Sequence, residues 1–436
     1  MSADAQAVAD PTTLRLGKRA RSVWAVLTLT GIVFLLSCGS ITYWLAGTLG
    51  NITTPHSATL EVRTGTQVVV RRNHIVAPEL VSKETTLNEG DEVETGPTSG
   101  AFVQLFDGST IQTYFDTRLR VERLRTGALF QNLKEASIVV DSGTVVVVTA
   151  DLGSYSSAKY LIATETGVIE PDVKSKVRLR VEGSEQGHLT SAFVDYGSAK
   201  LLSHGRQIQL SPGTMARVSA DGTIVGPGPI EEELIRNGTF TEGPTSGAEL
   251  AANGGLGIAA WLPILAQTTE PVAEPGVTNI VTETLGLGTT DIVTAARLQR
   301  EGSGDTYATV GIRQEMNQPV EFLSEIELDA SVKVVLQSVE AGGPQGNIFP
   351  LTIKVIYSDS EQKQHEWKHS FYYFGQDQDL TVTTKVLQGT WGRHNFVLKS
   401  AQDGVGSDMA VINAIEIYGY GRQFQSWVTQ LSMIAK

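Results

Sequence analysis

Residues 87–109 read LNEGDEVETGPTSGAFVQLFDGS, and this stretch decides the fold class. Within it, Ala101-Phe102-Val103-Gln104-Leu105 is a short apolar run closed by Asp107-Gly108. Gly tolerates positive φ and Asp bonds its own backbone, so the pair ends a strand with a turn. The same grammar runs from Ala58 to Val218. Residues 67–70, 137–140, 143–148 and 177–181 are further short apolar runs, and several alternate with period two. Such alternation places one set of side chains in a core and the other in water. Asp141-Ser142-Gly143, Tyr196-Gly197-Ser198 and Asp221-Gly222 supply turns between the runs. The expectation is an all-β domain over 58–225.

The whole chain has 436 residues, with 34 Lys plus Arg against 47 Asp plus Glu and a formal net charge of −13. That balance argues against the broad cationic surface needed to bind a phosphate backbone, so no nucleic-acid partner is expected. With 44 Gly and 15 Pro, the composition suits short strands joined by turns and disfavours a mostly helical enzyme. The length accommodates two or three domains, each with its own core.

Upstream, Trp24 to Leu49 carries no charge. Roughly 20 apolar residues span about 30 Å of hydrocarbon, so residues 23–49 are expected to form a single transmembrane helix. Arg15, Lys18, Arg19 and Arg21 precede the stretch, and no Lys or Arg follows until Arg63. The positive-inside rule then puts residues 1–22 in the cytoplasm and everything after a 50–57 linker outside the membrane. A poorly formed small-x-small cleavage site favours a retained anchor over a signal peptide. Leu35-Leu36-Ser37-Cys38-Gly39 resembles a bacterial lipobox, which offers lipidation at Cys38 as the alternative. Cys38 is the only cysteine, so no intrachain disulfide exists and the cores must supply the stability.

The opening stretch resembles the FecR domain signature, with its Gly-Asp-x-Val-x-Thr-Gly block at 90–96 and its Asp-Gly-Ser close at 107–109. Residues 193–201 and 209–216 resemble that family's closing strands. The middle departs from the pattern, with Thr164-Glu165-Thr166-Gly167 and then Pro171-Asp172. The resemblance implies an extracytoplasmic β-domain that, in founding members, relays a signal to a sigma factor through a cytoplasmic region. A tail of about 21 residues here is too short to bury a core.

Gly226-Pro227-Gly228-Pro229 is a breaker cluster, expected to be a linker over 226–230. Beyond it, Asn237-Gly238-Thr239-Phe240, Gly243 and Trp261 resemble the opening of the galactose-binding-like jelly rolls used as carbohydrate-binding modules. Strand-like runs continue at 306–314, 325–338, 351–357, 367–374, 380–386, 396–398 and a closing 412–418, which suits a jelly-roll β-sandwich over 231–436. The resemblance implies a structural calcium ion as an option, with Glu301 to Asp305 as candidate oxygen donors; no other cofactor is expected.

His365-Glu366-Trp367-Lys368-His369 matches the zinc-peptidase pattern H-E-x-x-H. On a helix His365 and His369 would share a metal while Glu366 polarised a water. The flanking residues read instead as a hairpin, and in a strand the imidazoles would stand about 13 Å apart. The motif is therefore rejected as a metal site. No Ser elbow, P-loop or exported cysteine nucleophile appears, so no catalytic residues are assigned. Four of six tryptophans lie at 261, 367, 391 and 427, alongside Tyr372, Tyr373, Tyr418 and Tyr420. Flat rings receive the C–H face of a sugar, which makes Trp261, Trp391, Trp367 and Tyr372 the ligand-binding candidates.

The sequence thus predicts a non-catalytic recognition protein of the bacterial cell membrane, single-pass, with a FecR-like domain and a glycan-binding sandwich facing a polysaccharide or cell-wall ligand. The alternatives are a signal-transducing regulator acting through a membrane or cytoplasmic protein partner and, least favoured, a zinc metallopeptidase.

Overall fold

The alternating runs of the first domain form strands and pair into two sheets. The computed structural model describes residues 27–40 and 53–436, apart from 74–76, 128–132, 154–156, 185–186, 244–256, 265–276, 285–291, 302–305, 344–346, 377–378, 380, 403 and 405. One sheet runs Glu79–Val81, Val68–Arg71, Glu92–Thr95, Arg118–Gly127, Leu133–Val148, Ser157–Ala163, Val168–Pro171, Ala199–Ser203, Arg206–Leu210. The other runs Glu84–Leu87, Ala58–Thr64, Gly100–Gln104, Thr110–Thr113, Leu133–Val148, Lys176–Ser184, Gly187–Tyr196, Thr214–Val218, Ile224–Pro229. They close round one core that includes Leu60, Val103, Ile138, Val147, Leu179 and Leu201.

Leu133–Val148 belongs to both sheets. Up to Ser142 it pairs with Arg118–Gly127, and from Gly143 onward with Lys176–Ser184, with a register slip between Val140 and Ser142. Asp141-Ser142-Gly143, expected to be a turn between two strands, is instead a corner within one. Gly143 adopts φ +90°, and a Cβ there would stand 2.3 Å from Thr117 Oγ1 and 2.8 Å from the Asp116 carbonyl oxygen. The Thr117 hydroxyl accepts the Thr144 N–H at 3.0 Å as the chain leaves the corner. A bulge at a sheet corner re-aims the strand without ending it.

The two acidic motifs of the opening stretch also build corners. Buried Asp91 accepts the backbone N–H groups of Asn73 and Asn88, both at 2.9 Å, and Arg72 Nη1 at 3.0 Å. Asp107 accepts the Ser109 N–H at 2.9 Å and the Tyr160 hydroxyl at 2.5 Å, tying the turn to a neighbouring strand.

Two expected linkers are strands. Thr53–Pro55, inside the expected 50–57 linker, pairs with Arg118–Gly127. Ile224–Pro229 carries the Gly-Pro cluster yet pairs with Thr214–Val218, because an edge strand needs N–H donors on one side only and so tolerates Pro. Residues 27–40 are helical. Leu27, Leu29, Ile32, Val33, Phe34, Leu35 and Leu36 are all exposed on that helix. Residues 23–26 and 41–49 of the expected span lie outside the described residues, and no helix among the described residues is long and apolar enough to cross a membrane.

The second domain is a sandwich of two six-stranded sheets. The first runs Val277–Thr284, Ile292–Arg300, Phe424–Ala435, Glu325–Gln337, Gly392–Ser400, with Glu232–Glu233 pairing onto Phe424–Ala435. The second runs Leu262–Ile264, Ala308–Pro319, Val411–Gly421, Phe349–Ser358, Gln364–Tyr372, Thr383–Lys385. Ile312, Leu328, Ile353, Ile415 and Val428 fill the space between. The expected closing strand at 412–418 is not the last, since Phe424–Ala435 follows it and sits inside the first sheet. Part of the core is aromatic and imidazole together. His369, 5% exposed, lies 4.5 Å from the Phe396 ring and beside Trp367 and Phe371. Burial, with His394 nearby, pushes the His369 pKa down to about 4.

The domains are clamped by charge. Glu232, from the sandwich, accepts Arg178 Nη1 at 2.7 Å and Arg180 Nη1 from the first domain. The Arg178 guanidinium, 2% exposed, lies between two rings, 3.7 Å from Phe193 of its own domain and 4.1 Å from Phe322 of the sandwich. Burial pushes the Glu232 carboxyl up, but the two arginines outweigh it and hold the group below the usual carboxylate range. Lys399 Nζ donates to the carbonyls of Val320 at 2.6 Å and Met409 at 3.0 Å, fixing the segment that carries Phe322.

Three outcomes follow for stability. Glu232→Ala strands a buried guanidinium and should cost about 3–5 kcal/mol in chemical denaturation, as breaking one side of a buried ion pair does. Gly143→Ala forces a Cβ into the corner at positive φ and should cost about 1–3 kcal/mol by the same measurement. His369 binds protons more weakly folded than unfolded, so its contribution is complete above pH 6.5 and is lost as pH falls toward 4. Thermal melts between pH 7.5 and 4.5 should show this fall, and it should be shallower in His369→Gln.

Candidate functional site

Of the four predicted aromatic candidates, Trp261 and Tyr372 are occupied by the protein itself, and Trp367 and Trp391 are half-buried. Trp261 is fully buried, with the Phe240 ring 5.5 Å away and its indole N–H donating to the Asn237 carbonyl at 3.3 Å. The Asn237-Gly-Thr-Phe motif is therefore a clasp: Asn237 Nδ2 donates to the carbonyls of Glu242 and Ala259, while a Cβ on Gly238 would meet the Leu431 carbonyl oxygen at 1.8 Å. Tyr372 is also fully buried, beside Phe349. Neither burial follows from alternation: Trp261 stands just ahead of Leu262–Ile264, and Tyr372 shares the strand face of Glu366 yet is buried in a small separate cluster with Ala341 and Phe349. Trp367 is half-buried and turned inward onto Phe396 at 5.3 Å. Trp391 is half-buried under the Lys333 ammonium, which stands 5.8 Å from its ring and 5.0 Å from Trp427.

The H-E-x-x-H residues lie on strand Gln364–Tyr372, the second arm of a hairpin in which Tyr357 faces His365 and Val355 faces Trp367. His365 Nε2 is 2.8 Å from Asp359 Oδ2, and His369 Nε2 is 2.8 Å from Thr384 Oγ1. Glu366 points to the opposite face, 3.8 Å from Lys354 Nζ. The three side chains do not converge, and no group of three or more metal-ligating side chains gathers among the described residues. Of the calcium candidates, 302–305 lie outside the described residues. Cys38 sits within the 27–40 helix and is not in a disulfide.

A further aromatic surface lies on the outer face of the second sandwich sheet, where Lys354 stands 5.7 Å from the Tyr418 ring and Arg422 5.2 Å from the Tyr307 ring. Strand Val411–Gly421 alternates Ile415 and Ile417 inward with Glu416, Tyr418 and Tyr420 outward. Tyr420 is 5.9 Å from Tyr307, at an interplanar angle of 34°. Tyr418 stands opposite Gly311 on the neighbouring strand, where any Cβ would meet Tyr418 Cβ at 2.5 Å. The missing side chain lets Tyr418 pack directly over the Gly311 backbone. A charged row borders the ring: Glu416 accepts Arg313 Nη1 at 2.5 Å and Lys354 Nζ at 2.6 Å. Burial, reinforced by Glu416 and Glu366, pushes the Tyr418 hydroxyl up to about 12, so it stays a neutral donor at physiological pH. Half-buried rings with fixed charged donors and acceptors alongside make a surface for a flat polar ligand with an apolar face. Sequence reading had noted Tyr418 and Tyr420 but missed Tyr307, which stands just ahead of Ala308–Pro319.

A second feature lies between the domains. A cleft of about 520 Å³ has Phe102, Gln112 and Tyr114 on one wall and Glu321, Ser360 and Asn413 on the other. The Tyr114 hydroxyl, on a residue 6% exposed, donates to Glu321 Oε1, as does Gln112 Nε2 at 3.2 Å.

No protein-family profile matches the chain, and no curated protein matches it. Among solved structures, an anti-sigma factor from Parabacteroides distasonis is similar at 15% identity, with a TM-score of 0.25 over 31% of this chain and 57% of that one. The chain thus spans little more than half the length of that protein. A family 61 carbohydrate-binding module solved with β-1,4-galactotriose is similar at 10% identity and TM-score 0.25, over 47% of this chain and 99% of that one. A family 11 carbohydrate-binding module from Clostridium thermocellum is similar at 9% identity and TM-score 0.25, over 41% of this chain and 90% of that one.

Proposed function

We propose that this protein is a membrane-anchored, non-catalytic recognition protein of the bacterial envelope whose sandwich binds a polysaccharide or cell-wall glycan on its tyrosine face. The observation that carries the reading is the outward row of Tyr307, Tyr420 and Tyr418 beside the Arg313–Glu416–Lys354 ion pairs. A pyranose has an apolar C–H face and an equatorial rim of hydroxyls, and this surface offers rings for the first and fixed charges for the second. The anchor is residues 23–49, with residues 1–22 in the cytoplasm. Its support is the basic cluster before the stretch and the 27–40 helix, which exposes apolar side chains all round. A helix apolar on every side belongs in a protein core or a bilayer.

A second reading, transmission of the binding event to a protein partner, is favoured by the clamp at Glu232, because domains joined through buried charge move as one body.

The full chain should bind at least one member of a panel of neutral and acidic polysaccharides and peptidoglycan in affinity electrophoresis. Tyr418→Ala and Tyr420→Ala should each weaken that binding about tenfold, the scale of losing 1–2 kcal/mol of ring contact. Trp261→Ala should unfold the clasp rather than remove a contact. Retention of full affinity in both tyrosine variants would remove the tyrosine face from consideration.

A further inference from the structure

The cleft between the domains differs from the tyrosine face in shape and chemistry. Its volume of about 520 Å³ falls within the range of small-molecule sites, roughly 300–1,000 Å³. Apart from Glu321, its charged side chains already have partners. Asp359 accepts the Glu361 and Lys363 N–H groups and contacts His365, and Arg63 pairs with Glu61 at 3.3 Å. An anionic ligand would therefore have to take Arg63 from Glu61, whereas a neutral one would break no ion pair. What the walls offer instead is a set of placed neutral donors and acceptors. Asn413 receives the Ser358 hydroxyl on Oδ1 at 2.8 Å, which orients its amide and leaves Nδ2 to donate. Gln112 uses Nε2 on Glu321, which leaves Oε1 to accept. Glu321 takes both of its cross-domain bonds on Oε1 and keeps Oε2 as an acceptor. Thr98 and Ser360 add exposed hydroxyls, and the half-buried Phe115 adds an apolar ring.

We propose that this cleft is a second binding site, for a neutral mono- or disaccharide. A sugar hydroxyl both donates and accepts, so it needs mixed partners held in fixed positions. Glu321 is held by Tyr114 and Gln112 before any ligand arrives, and such preorganisation lowers the entropic cost of binding. The carboxylate makes a charge-assisted bond to a neutral hydroxyl without any proton transfer. The inference shares only its ligand class with the reading above. It adds that the site exists only where both domains are in place, since its two walls come from different domains.

The test is isothermal titration of the full chain with cellobiose, lactose, maltose and laminaribiose. At least one should bind saturably, and Thr98→Trp, which fills the cleft from the first domain, should reduce the affinity at least tenfold. Ser360→Trp, from the opposite wall, should do the same, and both variants should melt at the parent temperature. Absence of binding by all four sugars, or undiminished binding in both tryptophan variants, overturns the cleft. Loss confined to the tyrosine variants also overturns it, while leaving the tyrosine face standing. Disaccharide binding blocked by the tryptophans, with no polysaccharide bound, upholds the cleft and removes the tyrosine face.

Discussion

The contact between Glu232 and the Arg178–Arg180 pair governs the relation of every other part of this molecule. It is an expensive contact, because Glu232 and Arg178 leave water and repay that cost chiefly through each other and Arg180, which also pairs with Glu182. Arg178 closes the arrangement by stacking between a ring of each domain, so the charge pair and the apolar contact share one side chain. Removing Glu232 leaves the Arg178 guanidinium without its carboxylate where water does not reach. The cross-domain bonds of Glu321, and hence the cleft, rest on the relative placement this clamp sets.

Each domain meets the demand for a closed core differently. The first has no disulfide to draw on and wraps two sheets round one core by sending a single 16-residue strand from one sheet into the other. The second stacks two separate sheets and seals one end with the Phe240–Trp261 pair under the Asn237 clasp. In both, residues that resemble binding motifs are spent on turning the chain. Asp91, Asp107 and Asn237 each satisfy backbone groups that would otherwise be left bare at a corner.

Much of this was legible in the sequence. Period two gave the strands around 101–105 and 177–181, and the strand reading of 365–369 separated two histidines that a helix would have joined. Continuity was harder to read. Asp141-Ser142-Gly143 has the residues of a turn because a corner bulge and a turn both need positive φ, and only the partner strands distinguish them. Gly226 to Pro229 has the residues of a linker because an edge strand also tolerates Pro. The candidate site was legible in kind but not in place. Periodicity could not tell that Trp261 lies in the sandwich core and Tyr372 in a small separate cluster with Ala341 and Phe349, while Tyr418 and Tyr420 stay partly exposed. The cleft had no local signature, because Gln112 and Glu321 are far apart in the chain and meet only through tertiary packing.

The position of Phe424–Ala435 inside its sheet bears on how the protein is made. This strand lies between Ile292–Arg300 and Glu325–Gln337 and also receives Glu232–Glu233 at its end. Until residue 435 has left the ribosome, those strands have no common partner and the sheet stays in two pieces. The first domain, complete by residue 229, can close much earlier during synthesis. The sandwich must then wait, its apolar inner face uncovered, for the last strand to arrive, and in that interval it depends most on protection from aggregation.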